Sequence, residues 1–336
     1  MSALQLTPVL DLHPAPADMT AVVREGMARS PRQLPAWLLY DAEGSRLFDL
    51  ICEQPEYSLT RTEIALLQAN ASAIAAAAVP TGQAPTVVEF GAGSARKVGP
   101  LLAALPGSAY VALDISSAHL AGACARLQQH HPQVPVLGVC CDYSSLDALP
   151  HHALLQRTPR LGFYPGSSLG NFTPSEARRL LAQMAHLLGP GARLLIGIDQ
   201  PKSVERLEAA YNDAAGVSAA FARNLLVRLN QDLGGDFDPQ AFTYDARWQA
   251  EHSRIAMALI SRAAQEVQLA GRHWHFAAGE PLITEYSVKY SPQAFADLAG
   301  AAGWQLQRSW SDRGGDLSLH LLHQSDSSQP PSAPAP

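Results

Sequence analysis

Residues 86–94, which are Thr-Val-Val-Glu-Phe-Gly-Ala-Gly-Ser, decide the fold. The β-branched residues at the start of this stretch predict a short strand, and the glycines at its end predict a tight turn. Glycines in such a turn let the backbone approach a bound ligand. Asp114 closes the next predicted strand, 21 residues beyond Gly93, where its carboxylate can accept both hydroxyl groups of a ribose. The stretch therefore predicts a nucleoside-containing ligand at the ends of two neighbouring strands.

Two details of this stretch favour S-adenosylmethionine over a nicotinamide dinucleotide. Arg96 stands where a dinucleotide fingerprint has its third glycine, and the acidic Glu89 precedes the glycines. A carboxylate would repel a pyrophosphate, but it would tolerate a ligand that carries a sulfonium and an ammonium. A nicotinamide-dependent dehydrogenase stays as an alternative, because both classes of enzyme share the glycine pattern.

The segment Cys141-Asp142-Tyr143 follows the third predicted strand. An acid and an aromatic ring at that place can bind the amino group of an adenine and stack on its ring. The alternative is an ordinary exposed loop.

Strand and helix signals alternate on both sides of the glycine turn, which predicts a parallel sheet covered on both faces. A capping-box spacing at Thr60-Arg61-Thr62-Glu63 predicts a helix that begins near residue 61, and Thr173-Pro174-Ser175-Glu176 announces another helix. The further predictions are strands at 109–114, 134–139, 161–164 and 193–198, a helix at 117–129, a helix that opens at Ser291-Pro292, and a closing strand pair at 304–310 and 316–322.

Residues 200–285 break the alternation. A helical stretch at 203–233 is followed by three predicted strands, at 253–263, 265–270 and 272–276. We interpret this region as a second subdomain that is inserted into the first.

Composition excludes several classes of partner. The 336 residues contain 24 Lys and Arg against 30 Asp and Glu, a formal net charge of −6, and only 16% are charged, so no global field attracts nucleic acid or acidic membranes. No apolar run is long enough to span a bilayer, and residues 1–20 lack the features of an export signal. The four cysteines lack C-x-x-C spacing. We expect a cytoplasmic monomer that acts on a small molecule.

Two further patterns suggest chemistry that we do not expect. Residues 166–170, Gly-Ser-Ser-Leu-Gly, fit a serine nucleophile elbow, with His320 or His323 as a downstream base. An elbow needs a helix that starts directly after Ser168, whereas the helix signals lie at Thr173-Pro174. His273-Trp274-His275 places two imidazoles on one strand face without a third ligand at a convincing spacing, and we predict no metal site.

Five separated blocks, in this order, resemble the histidine-specific, S-adenosylmethionine-dependent Nα-methyltransferases of ergothioneine biosynthesis. The similarity runs from about Trp37 to Leu322. The blocks are Tyr40-Asp41 with Gly44-Ser45 and Leu47-Phe48-Asp49, Pro55-Glu56-Tyr57 with Thr60-Arg61-Thr62-Glu63, Gly166-Ser167 with Gly170-Asn171, Tyr211-Asn212-Asp213-Ala214-Ala215-Gly216-Val217, and Thr284-Glu285 with Ser287.

The resemblance implies an α/β fold in which a class I methyltransferase Rossmann-like domain carries an inserted α+β substrate-binding domain. On this basis we predict a Rossmann-like domain at 63–198 plus 288–323, a substrate-binding domain at 1–62 plus 199–287, and a disordered tail at 324–336. The implied reaction transfers up to three methyl groups to the α-amino nitrogen of L-histidine and gives hercynine. No metal is required. The alternatives are methylation of another aromatic amino acid, tryptophan or tyrosine, and a catalytically silent ligand-binding protein.

The resemblance also implies the site residues. Those around the methyl donor are Glu89, Gly91, Lys97, Asp114, Asp142 and Tyr143, and those around the amino acid are Tyr40, Tyr57, Gly166, Asn171, Tyr211, Met257, Glu285 and Ser287. We hypothesise that Asn171 and Tyr211 fix the substrate carboxylate and that Tyr40 and Tyr57 border its amino end. The sequence departs from the pattern of this family at Ser58, Phe90 and Tyr164-Pro165, and these differences affect the edge of the pocket.

Specificity for histidine is predicted from the strand that contains Glu285 and Ser287. Residues two apart in a strand face the same side, so both side chains can enter one pocket. A neutral imidazole has one N–H donor and one acceptor nitrogen, which a carboxylate and a hydroxyl complement. The alternative is that both residues belong to an exposed strand face.

Overall fold

The computed structural model of the protein describes residues 8–12, 18–80 and 82–324. The predicted disordered tail lies outside these residues except for Gln324, which is the last residue of a strand, so the prediction was wrong at that position. In the described part of the chain no helix has both the length and the apolar character needed to cross a membrane.

The described residues form fourteen strands and ten α-helices. The strands are β1 (Val9–Asp11), β2 (Arg32–Gln33), β3 (Thr86–Phe90), β4 (Ala109–Asp114), β5 (Val136–Cys140), β6 (Arg160–Tyr164), β7 (Arg193–Asp199), β8 (Phe242–Gln249), β9 (Arg254–Ser261), β10 (Gln265–Leu269), β11 (Arg272–Phe276), β12 (Pro281–Val288), β13 (Trp304–Ser311) and β14 (Leu317–Gln324). The helices are α1 (Met19–Ala28), α2 (Ala42–Glu53), α3 (Leu59–Ala78), α4 (Gly99–Ala104), α5 (Ser117–His130), α6 (Ala153–Gln156), α7 (Pro174–Leu188), α8 (Val204–Tyr211), α9 (Val217–Leu233) and α10 (Pro292–Ala301).

The large sheet has the order β1-β5-β4-β3-β6-β7-β14-β13. In this order, each pair of neighbouring strands in the series β1-β5-β4-β3-β6-β7 is parallel. β14 runs antiparallel to both β7 and β13. All five residues of β3 are buried, as expected for a strand covered on both faces. The chain direction across the sheet reverses between β3 and β6, and ligands of doubly wound folds bind at such a switch point, outside the carboxyl ends of the strands.

A separate four-stranded sheet has the order β2-β12-β9-β8, and β10 and β11 form a hairpin of their own. The strands predicted at 253–263 and 265–270 are confirmed with shorter bounds, the strand at 272–276 is confirmed with the predicted bounds, and the strand β8 was not predicted. The first strand, β1, pairs with β5 in the large sheet, so residues 9–11 were wrongly assigned to the substrate-binding unit. The remaining domain boundaries stay a prediction.

The helical stretch predicted at 203–233 is two helices, α8 and α9. Gly216 adopts a φ of +72°, and the buried Asp213 accepts hydrogen bonds from the amides of Val217 and Ser218 at 2.8 and 2.7 Å. Asp213 therefore satisfies amides that would otherwise lack partners at the start of α9. Burial opposes ionisation of Asp213, but these hydrogen bonds outweigh it and lower the pKa of its carboxyl.

The helices predicted to begin near residue 61 and at Thr173-Pro174 are both confirmed. α7 begins at Pro174, where Thr173 and Glu176 bond to each other's backbone amides. α3 begins at Leu59, but the capping box predicted there was wrong, because Ser58 caps the helix without a side-chain hydrogen bond and Glu63 is fully buried with other partners.

Candidate functional site

The glycine turn after β3 and the acid after β4 lie together. The Gly93 amide donates to Asp114 Oδ2 at 2.8 Å, and the Ser116 amide donates to Asp114 Oδ1 at 3.0 Å. Since a carboxylate has about four lone-pair positions, Asp114 retains acceptor capacity on both oxygens. This half-buried carboxylate is thus held rigidly and fits a pair of ribose hydroxyls.

Gly91 has a backbone conformation and a neighbour that only glycine accommodates easily. Its φ is +67°, and a Cβ at this position would lie 3.2 Å from the hydroxyl oxygen of Tyr143. The Tyr143 ring packs edge-on against Phe90, with ring centroids 5.6 Å apart. The turn therefore places exposed backbone beside an aromatic ring, and a flat purine can stack against such a ring.

Asp142 forms hydrogen bonds within its own loop. One of its carboxylate oxygens accepts hydrogen bonds from the Ser144 amide at 3.0 Å and the Ser144 hydroxyl at 2.6 Å. These bonds fix the carboxylate next to Tyr143, where the sequence predicted contact with an adenine amino group.

Glu89 lies within β3 and is buried in the sheet. Its carboxylate accepts a hydrogen bond from the Tyr110 hydroxyl at 2.6 Å, and only 1% of the residue is exposed. Burial raises the pKa of Glu89 to about 8, although Tyr110 and Lys97 oppose this rise. The sequence predicted a charged Glu89 beside the methyl donor, whereas burial in the sheet favours the protonated form of this carboxyl.

All eight residues predicted around the amino acid line one cavity at the carboxyl end of β6. The space around it, its open mouth included, is about 560 Å³. The residues come from the segments before and after α2, the loop after β6, the end of α8, and the strands β9 and β12. They are Tyr40, Tyr57, Gly166, Asn171, Tyr211, Met257, Glu285 and Ser287.

The walls of this cavity are aromatic. Tyr40 contacts Phe48 and Phe221 edge-on at centroid distances of 5.6 and 5.4 Å, and Tyr57 contacts Tyr211 at 5.9 Å. The sequence analysis quoted Phe48 within a block but gave it no role, and it missed Phe221. Tyr244, Ile51, Ser167, Ser168, Ala210 and Ser218 also line the cavity and were not predicted.

The floor of the cavity is polar. Asn171 Nδ2 donates to Glu285 Oε1 at 2.8 Å, and the Tyr211 hydroxyl lies 2.8 Å from Ser287 Oγ. Glu285 and Ser287 share one face of β12, and burial excludes their alternative placement on an exposed strand. Burial raises the pKa of Glu285 to about 8 against the opposing effects of Lys289 and of a hydrogen bond with Tyr40.

Glu63 connects the two halves of the site and was not predicted as a site residue. The Gly166 amide donates to both of its carboxylate oxygens at 2.9 Å, and Lys97 Nζ lies 2.8 Å from Glu63 Oε2. Gly197 on β7 makes room for this carboxylate, because a Cβ there would lie 1.8 Å from Glu63 Oε1. Lys97, predicted beside the methyl donor, thus forms a buried ion pair that leads from the glycine turn to the substrate loop.

Ser168 has no base among the described residues. A short 3₁₀ turn, Ser168–Asn171, starts at this residue, and the later helix that was predicted follows as α7 at Pro174. Ser168 Oγ donates to the Pro165 carbonyl at 3.2 Å, while both ring nitrogens of His320 bond to the serines Ser309 and Ser318. The structure therefore gives no support to a serine hydrolase.

His273 and His275 both contact Glu266 on the exposed β10–β11 hairpin, at 2.8 and 3.2 Å. Throughout residues 8–12, 18–80 and 82–324, no three histidine, cysteine or acidic side chains are arranged to hold a metal ion. These histidines lie apart from the cavity.

The strand order, the antiparallel hairpin at one edge and the glycine turn after β3 are those of the class I methyltransferase fold. Within this class, the chain belongs to the family of histidine-specific, S-adenosylmethionine-dependent methyltransferases, whose model matches residues 19–324. It is 38% identical to a histidine N-alpha-methyltransferase of Mycolicibacterium smegmatis and 37% identical to one of Mycobacterium tuberculosis, in each case over 89% of this chain and 92% of the relative. It is also 30% identical to ergothioneine biosynthesis protein 1 of Neurospora crassa, over 88% of this chain and 33% of that protein.

Proposed function

We propose that the protein transfers methyl groups from S-adenosylmethionine to the α-amino nitrogen of L-histidine, up to three times, and so makes hercynine for ergothioneine biosynthesis. The observation that carries the choice of substrate is the buried pair of Glu285 and Ser287 on the cavity floor. A carboxylate can accept the imidazole N–H, and the hydroxyl can donate to the other ring nitrogen.

Indole and phenol do not complement this pair. Indole has one donor and no acceptor, and phenol has a single hydroxyl, so each would leave a buried polar group of the site without a partner. Sites built to hydrogen-bond a substrate reject such analogues strongly. The same floor therefore supports histidine over tryptophan and tyrosine.

Orientation supplies most of the catalysis in this proposal. S-adenosylmethionine supplies the methyl group from its sulfonium, and the unprotonated amine must direct its lone pair at the methyl carbon, in line with the carbon–sulfur bond that breaks. Asn171 and Tyr211 hold the substrate carboxylate by exchanging their present bonds to Glu285 and Ser287 for bonds to the ligand. Fixing both reactants in this way is worth up to ~7–11 kcal/mol in intramolecular reactions.

The aromatic walls favour the methylated products as well as the substrate. Tyr40 and Tyr57 flank the amino end, and each well-placed ring stabilises a cation by ~0.5–2 kcal/mol. A second and third methylation require that the increasingly methylated amine stays in the cavity. Aromatic side chains do this without a hydrogen bond that methylation would remove.

Incubation of the purified protein with isotopically labelled S-adenosylmethionine and a panel of amino acids tests the proposal. We expect mass increases of one, two and three methyl groups on histidine and weak transfer to tryptophan or tyrosine. Preferred transfer to either of the latter would establish the alternative substrate class. Tight binding of NAD instead of S-adenosylmethionine would establish a dehydrogenase.

The monomeric state and the cytoplasmic location are also proposals. Sedimentation equilibrium of the full chain tests this state.

A further inference from the structure

Lys289 lies directly beneath the polar floor of the cavity. It follows β12, two residues after Ser287, and its side chain is fully buried. Its Nζ donates to the Tyr211 hydroxyl at 2.6 Å and to Ser287 Oγ at 2.8 Å, and it pairs with Asp199 Oδ2 at 2.6 Å. An ammonium has three N–H donors, so this geometry occupies all of them.

Asp199 fixes the ammonium from the side opposite the cavity. Its other oxygen, Oδ1, pairs with Lys202 at 2.6 Å, and its amide donates to Ser167 Oγ at 2.9 Å. Burial acts to lower the pKa of Lys289, but the adjacent Asp199 outweighs it and raises the pKa above its ordinary value. Lys289 therefore stays charged at neutral pH.

The charge of Lys289 determines which way the two hydroxyls point their protons. An ammonium has no acceptor, so the oxygens of Tyr211 and Ser287 both accept from it and direct their own protons elsewhere. The two hydroxyls share one of these protons, since their oxygens are 2.8 Å apart. When Tyr211 directs its proton to the substrate carboxylate, the Ser287 proton is available to the substrate ring, because Lys289 already occupies an acceptor position of the Tyr211 oxygen.

We propose that Lys289 is a positioning residue that fixes Ser287 as a hydrogen-bond donor and thereby selects a substrate with an acceptor nitrogen in its ring. This inference rests on the proposed function and deepens it. Glu285 accepts the ring N–H, and the oriented Ser287 hydroxyl donates to the second ring nitrogen. Without Lys289 the Ser287 proton can turn toward Tyr211, and a ring that lacks the acceptor nitrogen no longer leaves this hydroxyl unpaired.

The two pyrrolylalanines test this assignment, because each keeps one ring N–H of histidine and replaces the other nitrogen by C–H. The measured quantity is kcat/KM for histidine divided by kcat/KM for the better pyrrolylalanine. We expect this ratio to be large for the natural chain and to fall at least about tenfold in Lys289→Met. A purely structural role would reduce both rates and leave the ratio unchanged.

Lys202→Met is the matched control. It removes the other cation of Asp199 without touching either hydroxyl, so the ratio should stay at the natural value. The double variant Lys289→Met with Asp199→Asn also removes the buried carboxylate charge that has lost one of its two cations, and it serves if the single variant does not fold. For a variant that is too slow to assay, calorimetry gives the ratio of the dissociation constants of the two ligands, and this ratio is compared between the variant and the natural chain.

The outcomes separate the inference from the proposed function. A natural chain that does not methylate histidine contradicts the proposed function. A natural chain that methylates histidine and keeps its ratio in both Lys289 variants contradicts the role of Lys289. A fall of the ratio in Lys202→Met as large as in Lys289→Met would also overturn it, because the effect would then be general to the charge cluster.

Discussion

The two halves of the site, the donor side at the glycine turn and the acceptor side at the cavity, are built in different ways. On the donor side, Gly91, Gly93 and Asp114 lie at the ends of adjacent parallel strands, and backbone amides hold the Asp114 carboxylate in place. The acceptor side gathers side chains from distant segments onto one polar floor. Backbone geometry thus serves a ligand that many enzymes share, whereas buried side chains carry what distinguishes one substrate from another.

Breaking the connection between the halves gives the largest expected effect. In Gly197→Ala the new Cβ meets Glu63 Oε1 at 1.8 Å within a buried strand, so Glu63 must move away from Lys97 and the Gly166 amide. Disrupting a buried ion pair costs ~3–5 kcal/mol. We expect a loss of this size in denaturant unfolding, with weaker binding of both the methyl donor and histidine.

Gly300→Ala in α10 is the matched control, because no atom lies within 4 Å of a Cβ at that exposed position. Its stability should be unchanged or slightly increased. A Gly197→Ala variant as stable as this control would show that Glu63 does not join the two halves.

Changing Asp114 to Ala tests the donor side alone. The substitution leaves two ribose hydroxyls without their acceptor and should weaken S-adenosylmethionine binding by ~1.5–3 kcal/mol, or one to two decades in Kd. Calorimetry measures the donor affinity. Unchanged affinity for S-adenosylmethionine would remove Asp114 from the site.

Changing Glu285 to Ala tests the acceptor side alone. We expect kcat/KM for histidine to fall at least about tenfold, with a smaller loss or a gain on tryptophan, because only imidazole pairs with both Glu285 and Ser287. Glu285→Gln keeps the size of the side chain and one acceptor oxygen, so it separates the loss of the hydrogen bond from the loss of packing. Equal losses on histidine, tryptophan and tyrosine would contradict the pocket assignment.

Local signals account for what the sequence predicted well. The glycine turn, the alternation of strands and helices, and the Thr173 cap depend on residues that are close in sequence, and the structure confirms them. The histidine-specific family and its α/β methyltransferase fold are likewise confirmed. The roles of individual site residues stay predictions, although the structure brings the eight acceptor-side residues to one cavity.

The errors arise where tertiary contacts override local patterns. Glu63 has the spacing of a capping residue, but its partners are 34 and 103 positions away along the chain, at Lys97 and Gly166. Phe221 has the pattern of a core residue on an apolar helix face, and nothing in the sequence indicates that this face borders a cavity. The burial of Glu89, which favours its protonated form, is likewise not visible in the sequence.

The smallest expected effect concerns one carboxyl on each side of the site. Burial raises the pKa of both Glu89 and Glu285 from 4.5 to about 8. Between these values the folded protein holds a proton on each carboxyl that the unfolded chain has released. Raising the pH in this window therefore favours unfolding, and each carboxyl contributes a loss of stability of up to ~1.4 kcal/mol per pH unit.

Glu89→Gln and Glu285→Gln each remove one of these two contributions. Denaturant unfolding at pH 6 and pH 7 should show a stability that falls less steeply with pH in either variant than in the natural chain, and least steeply in the double variant. Glu176→Gln, in the exposed cap of α7, should leave the slope unchanged, since its carboxyl lies at the surface. If only one of the two buried carboxyls changes the slope, the other titrates near its ordinary pKa. The donor and acceptor sides would then differ in electrostatics as well as in construction.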